Sequence, residues 1–482
     1  MPWERYRGAL PEWESCEAAC STPAPKAVRL FPSRLPESEL LRRLAAQGFV
    51  LEPLPFPPSV YQVVSEPFPV GKTLEHWLGY LYVQESVMAL VAHAVTEDAD
   101  LRLVLDLCAA PGGKTTHLSE LIPHGTVVAA DTSQRRLRAL GSNLHRTARL
   151  NVTAVRADGR TFPLGATFDA VLVDAPCSAE GNARDDPRVV RDLPVATRRR
   201  LCRLQEALLR RAVQLVRPGG VVVYATCTFA PEENEAVVDR VLAAHPDLDV
   251  EPLHLPAPHA EGVVEFAGQR YDSRLRHAWR VYPHHLDSGG LFLVRLRRAG
   301  GEQAEWSEPP LVHPAARLSE EEALRRVRRA QAMLTDELGV APQHLEGLRW
   351  MAASKHLWLH RCAAWPASRW KPTRAWELAG CGLRAFARWG AGEERPTSWL
   401  VQWLGWRVQR RMDLEAEQWD RLLSGQVLPV SSEPGFTALT FEGEVLAVGL
   451  VREGRLRHLI PADRAEQLRE ALHRKCGPQL SE

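Results

Sequence analysis

The sequence predicts an α/β fold with a mostly parallel sheet over residues 101–300 of the 482-residue chain. Apolar, strand-like runs alternate there with amphipathic, helix-like segments, which is the order that a doubly wound sheet requires. Four of these runs end in an aspartate, at Asp106, Asp131, Asp158 and Asp174. Since the carboxyl ends of parallel strands meet at one edge of the sheet, we expect these carboxylates to surround a ligand site.

A turn of small residues follows the first of these strands. The stretch 103–117 reads LVLDLCAAPGGKTTH, which predicts a strand, a tight glycine turn and the start of a helix. A phosphate-binding P-loop needs an earlier glycine where this chain has Cys108, and the G-x-G-x-x-G dinucleotide motif is absent as well. The turn therefore predicts a site where backbone approaches a ligand of another class.

Two cysteines follow later strands of the predicted sheet. The run 168–178, FDAVLVDAPCS, leads through Asp174 to Cys177, and the run 220–228, GVVVYATCT, places Cys227 between two threonines. A single buried cysteine is usually an inert apolar residue. Two cysteines at strand ends of one sheet would converge on the ligand side, and this pattern favours thiol chemistry.

Composition limits the class of protein. A chain of 482 residues exceeds the size of one core, so several domains are expected, and the net charge of +1 gives no overall sign of nucleic-acid binding. Nine cysteines spread over this length predict a reducing compartment rather than a disulfide framework. The sequence shows neither the apolar core of a signal peptide nor an apolar run of about 18 residues, so we expect a cytoplasmic location and no membrane contact.

The first 100 residues combine helical patterns with a proline-rich connector. The spacing of leucines predicts a helix over 37–49, ending near Gly48, whereas the prolines of 53–58 exclude regular structure. The apolar spacing over 74–95 predicts one helix leading into the sheet.

The composition changes after residue 298. A linker precedes a charged amphipathic helix predicted over Leu318–Leu338, and ten of the fifteen tryptophans lie between Trp350 and Trp419, interleaved with arginines. Base stacking beside arginine explains such a pattern, and so does ordinary core packing, which is the more common role of a single tryptophan. The last part, 435–461, predicts short strands with glycine turns.

The stretch 103–117 resembles the S-adenosylmethionine-binding motif of the Sun family of RNA (cytosine-5)-methyltransferases, D-x-C-A-A-P-G-G-K-T. The DAPCS and TCT motifs match the family too, and the resemblance is specific over about residues 74–298. It implies an N-terminal α+β RNA-binding and lead-in region over 1–100 and a Rossmann-like S-adenosylmethionine-dependent methyltransferase domain over 101–300. After them it implies an accessory α+β domain over 310–405, rich in tryptophan and arginine, and a PUA-like β-rich RNA-binding domain over 406–482.

The resemblance also implies roles for individual residues. Cys227 would be the nucleophile, Asp174 would hold a proton on the ring nitrogen of cytosine, Lys114 would assist by charge, and Cys177 would support release of the product. The implied cofactor-binding residues are Cys108, Ala109, Ala110, Pro111, Gly112, Gly113, Lys114, Asp131, Arg136, Asp158 and Asp174.

One assignment has a rival, and two positions depart from the family pattern. In DNA cytosine-5 methyltransferases the nucleophile follows proline, which here would make it Cys177. The family usually has glycine where this chain has Ala179, so the methyl group is either tolerated or a sign of altered substrate entry. The N-terminal run Arg29 to Arg34 lacks the asparagine of the family's R-x-N-x-x-K-like strand, which puts that RNA contact in doubt.

The resemblance implies an S-adenosylmethionine-dependent enzyme that methylates carbon 5 of a cytidine in RNA, with small-subunit ribosomal RNA, free or in a particle, as the expected partner. A tRNA substrate and a non-catalytic RNA-binding assembly factor are the alternatives. We expect a monomer. The run with His284, His285 and Asp287 lacks a further ligand in the sequence, so no metal is expected.

Overall fold

The computed structural model of the chain describes residues 3–98, 100–163, 168–189, 193–301, 306–366, 376–389 and 392–476. Three regions follow one another along the chain: an N-terminal region, a central α/β domain and a C-terminal region with two antiparallel-rich sheets.

The N-terminal region has a four-stranded antiparallel sheet in the order β2-β3-β1-β4. Its elements are α1 (Trp13–Ala19), β1 (Ala27–Leu30), α2 (Glu37–Ala46), β2 (Val50–Pro53), β3 (Val60–Ser65), α3 (Leu74–Trp77), β4 (Leu81–Gln84) and α4 (Ala89–Val95). The predicted helix near 37–49 is therefore present, with an earlier end.

The single helix predicted over 74–95 is wrong. The segment forms α3, then β4, then α4, because Gly79 turns the chain with a φ of +77°. A Cβ atom at Gly79 would lie 1.9 Å from the carbonyl oxygen of Arg146, so only glycine fits this close contact. The apolar residues that suggest a helical face are divided between β4, which pairs with β1, and the buried helix α4.

The central domain has the predicted alternation of strands and helices. Its elements are β5 (Leu103–Asp106), α5 (Gly113–Leu121), β6 (Thr126–Asp131), α6 (Gln134–Arg146), β7 (Val152–Ala157), β8 (Phe168–Asp174), α7 (Val195–Leu215), β9 (Val216–Thr226), α8 (Glu235–Ala244), β10 (Leu248–Glu251), β11 (Ala260–Glu261), β12 (Glu265–Phe266), β13 (Gln269–Arg270), β14 (Trp279–Val281), α9 (Pro283–Leu286) and β15 (Leu291–Arg298). The strands β7-β6-β5-β8-β9 are parallel neighbours in that order, and β15 and β14 continue the sheet antiparallel.

The C-terminal region contains a four-stranded sheet, β17-β18-β21-β22, and a five-stranded sheet, β23-β25-β26-β27-β24. Its elements are β16 (Trp306–Ser307), α10 (Glu320–Ala332), β17 (Arg349–Ala352), β18 (His356–His360), β19 (Trp365–Pro366), β20 (Trp376–Cys381), β21 (Leu383–Trp389), β22 (Glu393–Pro396), α11 (Ser398–Leu404), β23 (Arg411–Asp413), α12 (Ala416–Leu423), β24 (Leu428–Pro429), β25 (Gly435–Phe441), β26 (Glu444–Arg452), β27 (Arg455–His458) and α13 (Ala462–Cys476). The predicted charged helix corresponds to α10, which continues as a π-helical turn over Met333–Glu337.

The described tryptophans of this region range from buried to exposed, with Trp399 and Trp403 half-buried. Five are buried, at Trp350, Trp358, Trp365, Trp376 and Trp419. Trp389 and Trp406 are each 64% exposed. Core packing therefore accounts for the buried ones, and Arg369 and Trp370 of the same stretch lie outside the described residues.

The three regions share cores and strands. The strand β20 pairs antiparallel with β7 and so extends the central sheet with a C-terminal segment. The N-terminal sheet and the five-stranded sheet bury one common apolar cluster, and at its margin Tyr80 donates a 2.5 Å hydrogen bond to Glu444. The start of the chain, from Trp3 to Cys16, packs instead against the central domain. Residues 87–95 join a further apolar cluster of the central domain, so residues 1–100 are divided among several clusters.

Among the described residues, no helix is both long and apolar enough to cross a membrane.

The cluster shared by the N-terminal and five-stranded sheets predicts a large stability effect at Trp419. This side chain is fully buried there, and its indole nitrogen donates to the carbonyl oxygen of Thr440 at 3.1 Å. Trp419→Ala should cost about 3–5 kcal/mol of stability, because it leaves a cavity and an unpaired carbonyl. Denaturant unfolding followed by fluorescence measures the loss. The exposed Trp406→Ala is the matched control, and an equal loss in both variants would contradict the shared core.

Candidate functional site

Two sulfur atoms meet at the carboxyl edge of the central sheet. β8 and β9 are parallel, and their register pairs Asp174 with Ala225, so the turns after both strands begin side by side. The Sγ atoms of Cys177 and Cys227 are 3.4 Å apart. The amide of Gly181 donates to the carbonyl oxygen of Cys227 at 2.9 Å and holds the two turns together. The pairing of strand-terminal cysteines expected from the sequence is therefore present.

An ion pair lies next to these sulfurs. Lys114, in the first turn of α5, places its Nζ 2.8 Å from the Oδ2 of Asp174. Burial alone would lower the pKa of Lys114, but attraction to Asp174, the hydrogen bond that Lys114 donates to it and the proximity of Cys227 leave the pKa raised. Lys114 is therefore a fixed positive charge beside the thiols.

The two cysteines have different surroundings. The pKa of Cys177 is raised well above that of an ordinary thiol, first by its hydrogen bond with Cys227 and then by burial. Both causes disfavour the thiolate of Cys177, and either sulfur can donate across the 3.4 Å contact. Cys227 is the sulfur that interacts with the charge of Lys114.

Glu233 and Asn234 hold the two turns, one turn each. The side chain of Glu233 is fully buried and accepts hydrogen bonds from the amide of Ser178 at 3.0 Å and from Gln205 at 2.8 Å. Its neighbour Asn234 accepts from Thr226 at 2.6 Å and donates to the carbonyl of Thr228 at 2.9 Å. Nothing in the local sequence at Glu233 indicates contact with a turn more than 50 residues earlier.

The glycine turn connects β5 to α5. Gly112 has a φ of +109°, and a Cβ atom there would lie 2.7 Å from a methyl group of Leu140. Thr115 donates to Asp106 at 2.7 Å. Burial raises the pKa of Asp106 to about 7, with a further rise from Asp174 and an opposing effect from Thr115. The conformation of the turn from Ala109 to Gly113 therefore depends on Gly112. The hydrogen bond from Thr115 to Asp106 joins the helix after the turn to the strand before it.

A cavity of about 580 Å³ opens beside this turn. Four of the predicted cofactor-binding residues line it: Cys108, Asp131, Arg136 and Asp158. The guanidinium of Arg136 lies 3.2 Å from Asp131 and also donates to the carbonyl oxygen of Ala110 in the turn. Residues that sequence analysis missed complete the wall: Leu107, Thr132, Gly159, Arg160, Pro176, Arg200, Leu201, Arg203, Leu204, Ala207 and Leu208.

The cavity meets the thiol pair at Pro176, the residue before Cys177. An acid at the end of the second strand can accept ribose hydroxyls, and the apolar side chains of α7 offer a surface for a flat ring. Gly159 lies under this surface, since a Cβ there would be 2.6 Å from Leu208. The size and lining of the cavity fit an adenosine-containing ligand such as S-adenosylmethionine.

Arg29 has a role that differs from the RNA contact considered from the sequence. It is 1% exposed, and its Nη2 donates to Thr116 at 2.9 Å and to the carbonyl oxygen of Gly113 at 3.1 Å. Arg29 therefore braces α5 from the N-terminal sheet and is not available to a phosphate.

Glu85 is another residue near Lys114 to which sequence analysis assigned no role. Burial and the nearby Asp185 raise its pKa to about 7, while Lys114 opposes the rise. A Cβ at Gly289 would lie 2.0 Å from its Oε2, so the glycine gives this carboxyl group its space.

Ala179 occupies a position that favours glycine. Its φ is +59° and its ψ is +27°, in the left-handed region, where alanine costs about 1–2 kcal/mol. Glycine, which the similar family usually has here, adopts this backbone conformation without that cost. The chain accommodates alanine with the turn geometry retained.

The histidine run has a partner that the sequence did not reveal. Glu12 accepts hydrogen bonds from both His284 and His285 at 2.9 Å, whereas Asp287 pairs with Arg184 at 2.8 Å. The expectation that no further residue able to bind a metal lies beside these histidines is therefore wrong, since Glu12 is such a residue.

Comparisons with known proteins agree with this geometry. The family model described as 16S rRNA methyltransferase RsmB/F matches residues 93–297. A ribosomal RNA small subunit methyltransferase F from Erwinia tasmaniensis is 30% identical over 375 residues, covering 74% of each chain. A protein of the same name from Cronobacter sakazakii is 32% identical over 352 residues, covering 71% of this chain and 70% of its own.

Solved structures show the same fold. A methyltransferase homolog protein from Pyrococcus horikoshii aligns with a TM-score of 0.55 at 28% identity, over 61% of this chain and 93% of its own. NSun6 from the same organism, solved with SFG, aligns with a TM-score of 0.52 at 22% identity, over 62% of this chain and 97% of its own. The similarity to NSun6 is evidence of fold only.

The glycine turn yields a prediction with an internal control. Gly112→Ala should weaken S-adenosylmethionine binding tenfold or more, because a non-glycine residue at this φ costs about 1–3 kcal/mol and its Cβ would press on Leu140. In Gly113→Ala the Cβ would meet only ordinary contact, 3.5 Å from Tyr82, so a much smaller change is expected. Isothermal titration calorimetry measures both. Equal affinity of the two variants would show that the turn does not shape the site.

Proposed function

The chain belongs to the RsmB/F family of 16S rRNA methyltransferases, which are S-adenosylmethionine-dependent enzymes, and we propose that it methylates carbon 5 of a cytidine in small-subunit ribosomal RNA. One observation carries the carbon-5 assignment: two cysteine sulfurs 3.4 Å apart next to the Lys114–Asp174 pair. Methylation of an exocyclic nitrogen or a ribose hydroxyl needs no thiol nucleophile, so this arrangement favours the ring carbon.

The chain's own residues would hold the cofactor at the cavity beside the glycine turn. When bound, S-adenosylmethionine supplies an electrophilic methyl group. Asp131 would accept the ribose hydroxyls, and the backbone of the turn from Ala109 to Gly113 would approach the amino-acid end. The α7 side chains Leu204 and Leu208 would cover the base. Pro176 then places the start of the thiol turn beside the same cavity.

Carbon 5 of cytosine is a weak nucleophile, so the ring must first be activated. In the proposed mechanism the thiolate of Cys227 forms a bond to carbon 6, and the electron pair displaced from the 5,6 double bond gives carbon 5 enamine character. Asp174 would hold a proton at ring nitrogen 3, which neutralises charge that the addition places there. Lys114 keeps Asp174 oriented and adds positive charge beside the thiolate.

After carbon 5 has gained the methyl group, the ring must return to aromatic form. The proton on carbon 5 leaves to a base, and its bonding pair restores the 5,6 double bond while the carbon–sulfur bond breaks. The sulfur of Cys227 departs as thiolate. Cys177 lies at hydrogen-bond distance from this sulfur and holds a proton, so it can stabilise the departing thiolate.

The surroundings of the two sulfurs support Cys227, rather than Cys177, as the nucleophile. The Lys114 ammonium acts on Cys227, whereas the charged group that acts on Cys177 is the carboxylate of Glu233, which disfavours its thiolate. A nucleophilic cysteine needs nearby positive charge.

A second surface supports RNA as the substrate class. The four-stranded and five-stranded sheets border a cavity of about 860 Å³ that is rich in arginine and tryptophan. We call it the basic groove, and its arginines and tryptophans are Arg384, Trp389, Arg395, Trp399, Arg452, Arg455, Arg457 and Arg464. Arg395 stacks on the exposed Trp389 at 4.9 Å, which leaves an aromatic face and guanidinium groups for bases and phosphates. This groove would be an RNA contact formed by the proposed accessory and PUA-like domains together.

The mechanism makes opposite predictions for the two cysteines. Cys177→Ala should accumulate a covalent protein–RNA adduct, because addition proceeds and release stalls. Cys227→Ala should form none. Denaturing gel electrophoresis with labelled small-subunit rRNA and S-adenosylmethionine detects the adduct. An adduct formed by Cys227→Ala alone would reverse the roles.

The controls for this experiment also test the substrate. Cys202→Ala, in α7 near the same turns, should transfer label normally and release its product. Wild-type protein should place a labelled methyl group on carbon 5 of a cytidine in rRNA, supplied free or as the small-subunit particle. Label found only in tRNA, or at another atom, would overturn the proposal.

The basic groove gives a separate prediction. Arg455→Glu with Arg457→Glu should weaken RNA binding at least tenfold and reduce its salt dependence, because fewer phosphate charges are neutralised. Methyl donor affinity should not change. Arg270→Glu, an exposed arginine in the β12–β13 hairpin, is the control. Filter binding at several salt concentrations measures the effect, and equal binding by the groove variant and the control would place the RNA elsewhere.

A further inference from the structure

Three side chains that can bind a metal ion meet at the junction between the C-terminal region and the central sheet. His360 ends β18, Cys362 follows it after one residue, and Cys381 ends β20. All three are fully buried, and their ligand atoms lie within 4.8 Å of one another. The mechanism proposed above uses none of them.

A fourth candidate ligand comes from the central sheet. The hydroxyl of Thr153, on β7, lies 3.6 Å from the sulfur of Cys362 and 3.6 Å from that of Cys381. The two sulfurs are 3.8 Å apart.

These separations match a tetrahedral zinc site. With Zn–S bonds of about 2.3 Å and a Zn–O bond of about 2.1 Å, tetrahedral angles place two sulfurs about 3.8 Å apart and sulfur and oxygen about 3.6 Å apart. The sulfurs are also farther apart than the roughly 2 Å of a disulfide.

The charge and polarity of the cluster point in the same direction. Neither ring nitrogen of His360 makes a hydrogen bond to oxygen or nitrogen within the described parts of the chain, although both are buried. An imidazole left in this state is costly, whereas a metal ion uses its free lone pair. A divalent cation balances the charge of two thiolates, and the imidazole and the hydroxyl are neutral. The complete site therefore carries no net charge, which suits a buried position without water.

We propose that His360, Cys362 and Cys381 bind a structural Zn²⁺-class ion, with the hydroxyl of Thr153 as the fourth ligand. Such an ion would join β7 of the central sheet to β18, β20 and residues 361–364. These residues already contact the sheet, since the amide of Arg361 donates to the carbonyl oxygen of Leu150 at 2.9 Å and the amide of Ala364 donates to the hydroxyl of Thr126 at 3.1 Å. Four protein ligands leave no open position, so the site is structural rather than catalytic.

This proposal departs from the expectation that the chain binds no metal. Thr153 and Cys362 are 209 residues apart and Cys362 and Cys381 are 19 apart, and such spacing resembles no zinc motif. Only the pairing of β20 with β7 brings Cys381 and Thr153 together.

Metal analysis and cobalt substitution of the full-length protein test the proposal. Wild-type protein should contain about one equivalent of zinc by mass spectrometry of the metal. After exchange with Co²⁺ it should show the intense visible absorption of a tetrahedral site and a sulfur-to-cobalt charge-transfer band. Because these measurements need only wild-type protein, misfolding of a variant cannot decide the result.

Variants identify the ligands. Cys362→Ser and Cys381→Ser should each lower the metal content at least tenfold and remove or weaken the charge-transfer band. Thr153→Val should keep that band but shift the visible absorption, since only the oxygen ligand is lost. Cys20→Ser is the control, because Cys20 also interacts with another cysteine, Cys16, but forms no three-ligand group within the described ranges.

Three outcomes would overturn the site. The first is wild-type protein that contains no stoichiometric metal and shows no charge-transfer band. The second is metal content that is unchanged in both cysteine variants. The third is a disulfide between Cys362 and Cys381 in protein prepared with zinc present.

Discussion

The parallel pairing of β8 with β9 is the constraint on which the candidate site depends. Its register sets Asp174 beside Ala225, and each strand then releases its chain into a turn that carries a cysteine. Side chains alternate faces along a strand, so a slip of one residue would send these turns in different directions. Two neighbouring residues fix the turns from a third element, since Glu233 accepts from the amide of Ser178 and Asn234 donates to the carbonyl oxygen of Thr228. The 3.4 Å contact of the sulfurs is therefore a property of the sheet.

Lys114 connects the two halves of the site. It belongs to the helix that follows the glycine turn, so the segment beside the cavity of about 580 Å³ also supplies the charge next to the thiols. A buried ammonium without a partner would tend to lose its proton, and Asp174 prevents this. Arg29 holds the same helix from the N-terminal sheet. The position of one ammonium group thus depends on contacts from the central sheet and from the N-terminal region together.

Sequence analysis anticipated the parts of this structure that local pattern determines. Strand-terminal aspartates, the glycine turn and the two cysteines all follow apolar runs, and parallel strands bring their ends to one edge. It failed where distant contacts override local pattern. Gly79 turns the chain because the backbone at Arg146 lies against it, which divides the predicted helix over 74–95. The partners Glu233 and Glu12 and the cluster at Cys381 could not be predicted, since their neighbours are fixed only by tertiary packing.

The C-terminal region is joined to the central domain more firmly than a linker would allow. Without β20, β7 would be the edge of the central sheet, with unpaired backbone groups exposed to other chains. β20 covers this edge, and the five-stranded sheet shares a core with the N-terminal sheet that braces α5. The basic groove therefore has a fixed position relative to Cys227. Contacts with phosphates and stacked bases tolerate many sequences, so under the proposed function a fixed distance between groove and thiol would be a physical means of selecting one cytidine among many.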